Sequence, residues 1–523
     1  MRTENPRVVI IGAGPGGLAA AMLLQRSGCR VTVVERCDRV GGRTSALEHD
    51  GFRFDLGPTF FLFPEVLRSI FAACGRRLDD AVELVKLDPH YRLVFGGGGD
   101  LEVTPDIARL KSEIARLSPA DADRIDGFLA DNRAKFEAFR PVLERHFDGL
   151  GDVLRLPALQ LLPLLRPWSS VDADLGRFFS DPRVRLAFSF QSKYLGMSPF
   201  KCPSLFTILS YLEYEYGVFH PRGGCAAVSE AMAEVAVDMG VELRLSEPVV
   251  RIDFDGRRAV GVETPAGSYP CDALVINADF AKAMTGLVPQ RLRRRWSDRR
   301  IERARYSCST YMMYLGLEGA CDQLGHHTIY LAEDYVGNIA DIEDRHRLSA
   351  DPSIYVCNPS VTDPTMAPKG HSALYVLVPV THQHPNVDWA LERQRFRAAT
   401  LRRLEGLGIE GIERRIRFER IVTPSDWESD LHVFRGATFN LAHSWTQMLH
   451  LRPRNRFEDL EGVYLVGGGT HPGSGLPVIY ESARISSRLL AGDLGLDAAA
   501  LMAPATISGG AASAMPLVPS RAS

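Results

Sequence analysis

The apolar positions change period several times along this chain, and each change marks an element. Arg7-Val-Val-Ile-Ile11 is a short β-branched run suited to a strand buried on both faces. After Gly12-Ala-Gly-Pro-Gly-Gly17, small and apolar residues recur at helical spacing from Leu18 to Ser27, stopping at Gly28. Arg30-Val-Thr-Val-Val-Glu35 predicts a second, parallel strand, so the opening residues read as a βαβ unit. From about residue 100 the pattern becomes one of long polar and apolar helical stretches, clearest over Pro105 to His146, which predicts an inserted helical lobe. Strand patterns return at Val241 to Leu245, Val249 to Phe254, Ala259 to Thr264 and Leu274 to Asn277, read as an antiparallel meander followed by a buried strand. A second insertion mixes strands at Tyr311 to Leu315 and Ala373 to Val378 with a helix at Trp389 to Leu407. Val463 to Val466 then supplies another buried strand and Pro477 to Leu490 a last helix.

These elements predict an α/β architecture in which residues 1–99, 222–300 and 455–498 build one nucleotide-binding domain. Residues 100–221 form the helical lobe, 301–454 a mixed α+β substrate domain, and 499–523, rich in Ala, Ser, Pro and Gly, a disordered tail. A chain of 523 residues has room for two or three such units. Its 61 basic and 64 acidic residues nearly cancel to a net charge of -3, which argues against a nucleic-acid partner. The nine cysteines form no C-x-x-C pair, so no metal site and a reducing, cytoplasmic setting are expected. The apolar stretch Val8 to Leu24 is interrupted by four glycines and a proline, and it reads as a strand, turn and helix rather than an export signal. No window reaches the roughly 18 uninterrupted apolar residues of a spanning helix.

The chemistry lies in the glycines. Gly12-x-Gly14-x-x-Gly17 sits between a strand and a helix, and Glu35 follows 18 residues after Gly17. Such a turn lets a pyrophosphate approach backbone N–H groups at a helix N-terminus, while the acidic side chain accepts from the ribose hydroxyls. Two further elements favour FAD over NAD. Arg39-Val-Gly-Gly-Arg-Thr44 offers a second glycine turn and a cation for the diphosphate. Leu465-Val-Gly-Gly-Gly-Thr-His-Pro-Gly-Ser-Gly475 leads into a helix whose N–H groups near Val478 and Ile479 suit the electron-rich pyrimidine edge of a flavin.

With these motifs, Phe54-Asp-Leu-Gly-Pro-Thr59, Tyr194-Leu-Gly-Met-Ser-Pro-Phe200, Gly217-Val-Phe-His-Pro-Arg-Gly-Gly224, Thr423-Pro-Ser-Asp-Trp-Glu428 and Gln447 to Arg454 complete a set running through residues 7 to 495. The set resembles the bacterial and fungal phytoene desaturases, FAD-dependent relatives of the amine oxidases. The resemblance implies that Gly12, Gly14, Gly17, Glu35, Gly42 and Arg43 hold the ADP part of FAD. It places Gly57, Pro58 and Thr59 by the isoalloxazine, Val249 at the adenine, and Gly469, Thr470, Val478 and Ile479 at the flavin end. It also implies desaturation of a linear C30 or C40 carotenoid precursor, a quinone or oxygen as electron acceptor, and peripheral attachment to a membrane. Leu476-Pro-Val-Ile-Tyr-Glu-Ser-Ala483 departs from the family's more frequent Val-Pro-Gly-Val-style opening. Ketolases, oxygenases, isomerases and saturases of carotenoids would carry the same FAD motifs, and a prenyl-binding escort protein could share the fold without redox activity.

Desaturation needs little acid or base, because the cofactor carries the redox chemistry. Glu213 and Glu215, ahead of the Pro-Arg-Gly-Gly turn, and His471, beside the last glycines, are the candidate proton acceptors. Leu154 to Trp168, apolar, broken by prolines and bounded by Arg and Trp, suits either shallow membrane insertion or packing in the lobe. Gln290 to Arg305, with eight arginines around Trp296, reads as a solvated helix balanced by Asp298 and Glu302.

Overall fold

Five strands drawn from distant stretches of chain lie side by side in one parallel sheet, in the order Glu242–Arg244, Arg30–Val34, Arg7–Ile11, Ala273–Ile276, Val463–Leu465. The structure is a computed structural model that describes residues 5–154 and 163–501. The pleat sends alternate residues of each strand to opposite cores. Val8, Ile10, Val31 and Val33 pack under the helices Pro15–Arg26, Cys225–Asp238 and Leu476–Asp493. Val9, Ile11, Leu274 and Ile276 pack under helix Phe280–Leu287 and the antiparallel strands Arg251–Asp255, Arg258–Thr264 and Gly267–Pro270. Each of these aliphatic side chains contributes about 1.5–3 kcal/mol by leaving water.

One predicted strand has a different partner. Val241 to Leu245 was expected in the antiparallel meander, but Glu242–Arg244 pairs in parallel with Arg30–Val34, Glu242 opposite Thr32. The cause is the helix Cys225–Asp238 before it, which makes the connection a crossover rather than a hairpin. That helix is rich in Ala and Val on all sides, which blurs its apolar period. The meander is completed instead by Gly267–Pro270.

The second sheet has seven strands, in the order Ile416–Val422, Ser309–Glu318, His371–Val380, Ile354–Cys357, His327–Leu331, Tyr91–Phe95, Asp100–Val103. Its neighbours are antiparallel except Tyr91–Phe95 against His327–Leu331. The hairpin Tyr91–Val103 therefore lies on both sides of the boundary drawn at residue 99 from the sequence, and it belongs to the sheet built from residues 309–422. Ser309–Glu318 is buried from Ser309 to Leu317, as a strand covered on both faces must be.

The lobe rests on helices Ile107–Ala115, Ile125–Leu143 and Ile208–Tyr216. The long pattern from Pro105 to His146 breaks at Ser118-Pro119, where proline opens a new helical turn. Its interior holds a charged knot: the fully buried Lys135 donates to Asp174 (2.5 Å) and Thr207 (3.0 Å), and Arg166 donates to Asp174 and Asp131. Among the described residues no helix is long and apolar enough to cross a membrane. Most of the apolar segment Leu154 to Trp168 lies outside the described residues. The arginine-rich Gln290 to Arg305 is not one solvated helix: it divides into a turn, Gln290–Leu292, and a helix, Asp298–Arg303. Between them Trp296 is buried and donates its indole N–H to Glu458 (2.8 Å).

Candidate active site

The carboxyl ends of the parallel strands open into one continuous cavity of about 780 Å³. At its first end Gly12, with φ +99°, turns the chain out of the strand, and Asn277 Nδ2 donates to its carbonyl (3.1 Å). A Cβ on Gly17 would stand 2.1 Å from Gly12 O, so this glycine sets how closely helix and strand pack. Gly17 does not line the cavity; Gly12 and Gly14 do. Glu35 is buried with both carboxylate oxygens tethered, accepting from the N–H of Ala13 and of Cys37 at 2.8 Å each. Gly42, at φ +54°, packs its open side towards Gly14. Arg43 beside it is half-buried, its guanidinium donating to Thr438 O (2.5 Å). Burial pulls its pKa down while Asp279 opposes the shift. A half-buried cation at a glycine turn fits a diphosphate. Gly57, Pro58, Thr59 and Val249 line the same cavity.

The far end of the chain closes the cavity from the other side. Gly469, Val478 and Ile479 line it, and the helix Leu476–Asp493 opens there from Gly475 without a side-chain cap. The helix Pro15–Arg26, opening from Gly14, also lacks one. Two helix N-termini thus offer uncapped N–H groups to the same space. Ile479 N–H is already spent on Gly475 O (2.9 Å), which leaves Val478 as the donor of that pair. Thr470 does not line the cavity: its hydroxyl donates to Pro453 O (2.7 Å). Arg452, which the sequence reading passed over, holds this turn. Fully buried, it donates to the carbonyls of Gly468 (2.6 Å), Thr470 (3.0 Å), Leu441 (3.0 Å) and Gln447 (3.3 Å), and burial lowers its pKa to about 9. His443, lining the cavity, accepts from the Ser474 N–H (3.0 Å).

Beyond Thr59, whose hydroxyl meets Tyr355 OH at 2.6 Å, the walls become aromatic and aliphatic. Phe60, Phe136, Phe190, Tyr194, Phe206 and Phe439 are among them. The three candidate proton acceptors part company here. Glu215 does not line the cavity; partly exposed, it is paired with Arg133 (2.8 Å). His471 is buried outside the cavity, edge-on to Phe147, and burial lowers its pKa to about 3. Neither of these two side chains lines the cavity. Glu213 is fully buried and accepts from Tyr194 OH (2.7 Å), Tyr91 OH (2.8 Å) and Gln191 Nε2 (3.1 Å). Burial raises its pKa to about 7 against those three hydrogen bonds. Tyr194 lines the cavity, so the carboxyl stands one hydroxyl away from it.

The family described as flavin containing amine oxidoreductase matches residues 15–491. The 4,4'-diapophytoene desaturase (4,4'-diapolycopene-forming) of Methylomonas sp is 44% identical over 489 residues, covering 93% of this chain and 95% of that one. The all-trans-zeta-carotene desaturase of Myxococcus xanthus is 42% identical, covering 93% and 94%. The chain belongs to the carotenoid desaturases of the flavin-containing amine oxidoreductase family. Among solved structures, cyclohexylamine oxidase from Brevibacterium oxydans matches with a TM-score of 0.58 at 18% identity, over 94% of this chain and all of that one. An oxidoreductase from Methanosarcina mazei matches with a TM-score of 0.61, also at 18% identity, over 91% and 98%. These two likenesses show the fold alone.

FAD is the cofactor of this desaturase family, and the residues present fit it. Gly14, the half-buried Arg43, the tethered Glu35 and two uncapped helix N-termini converge on one cavity. Asn277 was legible as the last residue of a buried strand; its role in clamping Gly12 was not. Arg452 and His443 act through backbone groups, which no motif spacing reports.

Proposed function

We propose that the protein desaturates a linear C30 or C40 carotenoid precursor. The observation that carries the reading is that the nucleotide cradle and an aromatic, apolar channel are parts of one cavity. The names of the relatives from Methylomonas sp and Myxococcus xanthus support the substrate class. FAD, when bound, supplies the two-electron oxidant that takes hydride from an allylic carbon. The chain's own task is to hold the polyene straight against the glycine-lined end, keep water away, and accept one proton. Gly12, Gly14, Glu35, Gly42 and Arg43 would hold the ADP part, with Val249 at the adenine. Gly57, Pro58, Thr59, Gly469, Val478 and Ile479 would border the isoalloxazine, while Gly17 and Thr470 shape the turns behind them.

Glu213 is the proton acceptor in this reading. A carboxyl titrating at about 7 is matched to a proton released near neutrality, and Tyr194 OH carries that proton across the cavity wall. The nucleotide unit takes residues 1–99, 222–300 and 455–498, apart from the hairpin Tyr91–Val103; 301–454 and the lobe 100–221 surround the substrate. The lobe also provides the contact with a membrane surface: Leu150, Leu154 and Trp168 are 59%, 75% and 73% exposed on either side of residues 155–162. A membrane-dissolved substrate would enter there, and a quinone from the same bilayer, or oxygen, would reoxidise the cofactor.

The test is anaerobic incubation of purified holoprotein with each precursor and a quinone, followed by chromatography. New, red-shifted polyene bands without oxygen incorporation are expected. Oxygen incorporation, or an unchanged precursor, would refute desaturation.

A further inference from the structure

A hydrocarbon has no use for hydrogen-bond donors, yet the apolar part of the cavity contains several that are unspent. The helix Tyr335–Glu343 turns one face to the cavity at helical spacing, through Tyr335, Asn338, Ile339 and Ile342. Two of the four are aliphatic and two are polar.

Asn338 is 3% exposed, and the orientation of its amide is fixed by chemistry. The backbone N–H of Ser353, which can only donate, meets one amide atom at 3.2 Å, so that atom is Oδ1. The Ser353 hydroxyl donates to the same oxygen (3.0 Å), being itself fixed as the acceptor of the Ala332 N–H (3.0 Å). The Nδ2 group is then the one without a hydrogen-bond partner. Tyr335, 7% exposed, has a hydroxyl without a partner as well, and burial keeps it protonated. Lys193, another lining residue, has an ammonium in the same condition, with Glu343 of the same helix 3.6 Å away. Ser353, which bonds Asn338, is two residues from Tyr355, whose hydroxyl meets Thr59. The donors therefore belong to the same cavity as Thr59 and Tyr355.

Each buried donor left unmade costs about 1–3 kcal/mol. Asn338 Nδ2 and the Lys193 ammonium can only donate and the Tyr335 hydroxyl can donate, whereas the one acceptor at hand, Glu343 Oε1, itself without a hydrogen-bond partner, stands 3.6 Å from the ammonium; donors outnumber acceptors, so the missing partner is an acceptor. We propose that Tyr335, Asn338 and Lys193 form a subsite for a carbonyl or hydroxyl oxygen carried on a long isoprenoid chain. The inference rests on the isoprenoid reading above and deepens it: the site takes an oxygen-bearing chain in preference to the bare hydrocarbon. Two sources share that chemistry, an oxygenated end of a polyene substrate and the head of a polyprenyl quinone.

The test is equilibrium binding to the holoprotein in detergent, read by quenching of tryptophan fluorescence. The probes are a linear C30 polyene, its terminal aldehyde, and a polyprenyl benzoquinone. The wild type should bind at least one oxygen-bearing probe about fivefold to tenfold more tightly than the hydrocarbon. Tyr335→Phe and Lys193→Met should remove that preference while hydrocarbon affinity stays within about twofold. Which probe shows the preference distinguishes substrate from quinone. Equal affinity for all three in the wild type, or a uniform loss for all three in Tyr335→Phe, would overturn the assignment. Desaturation is followed separately by new polyene bands. A holoprotein that selects the oxygenated probe but desaturates nothing contradicts the proposed function alone, and the reverse result contradicts the subsite alone.

Discussion

Replacing Glu213 by glutamine keeps the side chain's shape and removes its ability to take a proton. In the wild type the carboxyl is raised from 4.5 to about 7 by complete burial. At about 1.36 kcal/mol per pKa unit, that corresponds to about 3 kcal/mol. The sign follows from linkage. The unfolded chain ionises this group freely above 4.5, whereas the folded chain resists until about 7. Stability is thus highest below pH 4.5, falls as pH rises through 7, and is flat above. Glu213→Gln removes this pH-dependent part, so the variant should gain up to about 3 kcal/mol relative to wild type at pH 8 and little at pH 4.5, less any mismatch with the donors Tyr91, Tyr194 and Gln191. Catalysis should move the other way. A base works ionised, so the wild-type rate of anaerobic flavin reduction by substrate should rise with pH through about 7. Glu213→Gln should lower that rate by about 10²–10⁴ and abolish the limb. Stopped-flow absorbance between pH 5.5 and 8.5 gives the rates, and denaturant titration at pH 5 and 8 gives the stabilities. A variant that keeps the wild-type limb would refute the assignment.

Three other outcomes are expected. Lys135→Met leaves the buried Asp174 in an unbalanced knot with the partly buried Arg166, and should cost about 3–5 kcal/mol by urea denaturation. Glu35→Ala frees the N–H groups of Ala13 and Cys37 and removes the ribose acceptor; FAD retention through gel filtration should fall about tenfold or more, with the apoprotein still folded by circular dichroism. Leu150→Glu combined with Trp168→Glu should weaken sedimentation with liposomes while leaving activity on detergent-dissolved substrate intact.

The parts of the fold legible beforehand were those where one residue type has one physical use. Gly12 and Gly42 sit at positive φ, and β-branched runs such as Arg7–Ile11 became strands buried on both faces. The edge strand Glu242–Arg244 was misassigned because its partner is set by the helix before it, not by its own pattern. The same limit applies to the site. Glu213 and Glu215 are two residues apart on one helix, and only their tertiary surroundings separate a buried carboxyl from a surface ion pair. Arg452 spends its donors on carbonyls that five separate residues bring to it, so its role exists only in the folded chain.

The central claim is that the glycine-lined cradle and the apolar channel serve one reaction. Its most direct measurement is the anaerobic absorbance of the purified holoprotein mixed with a linear carotenoid precursor. The account predicts that the flavin band bleaches while polyene bands appear in step with it. A flavin band that persists beside bound, unchanged precursor would contradict it.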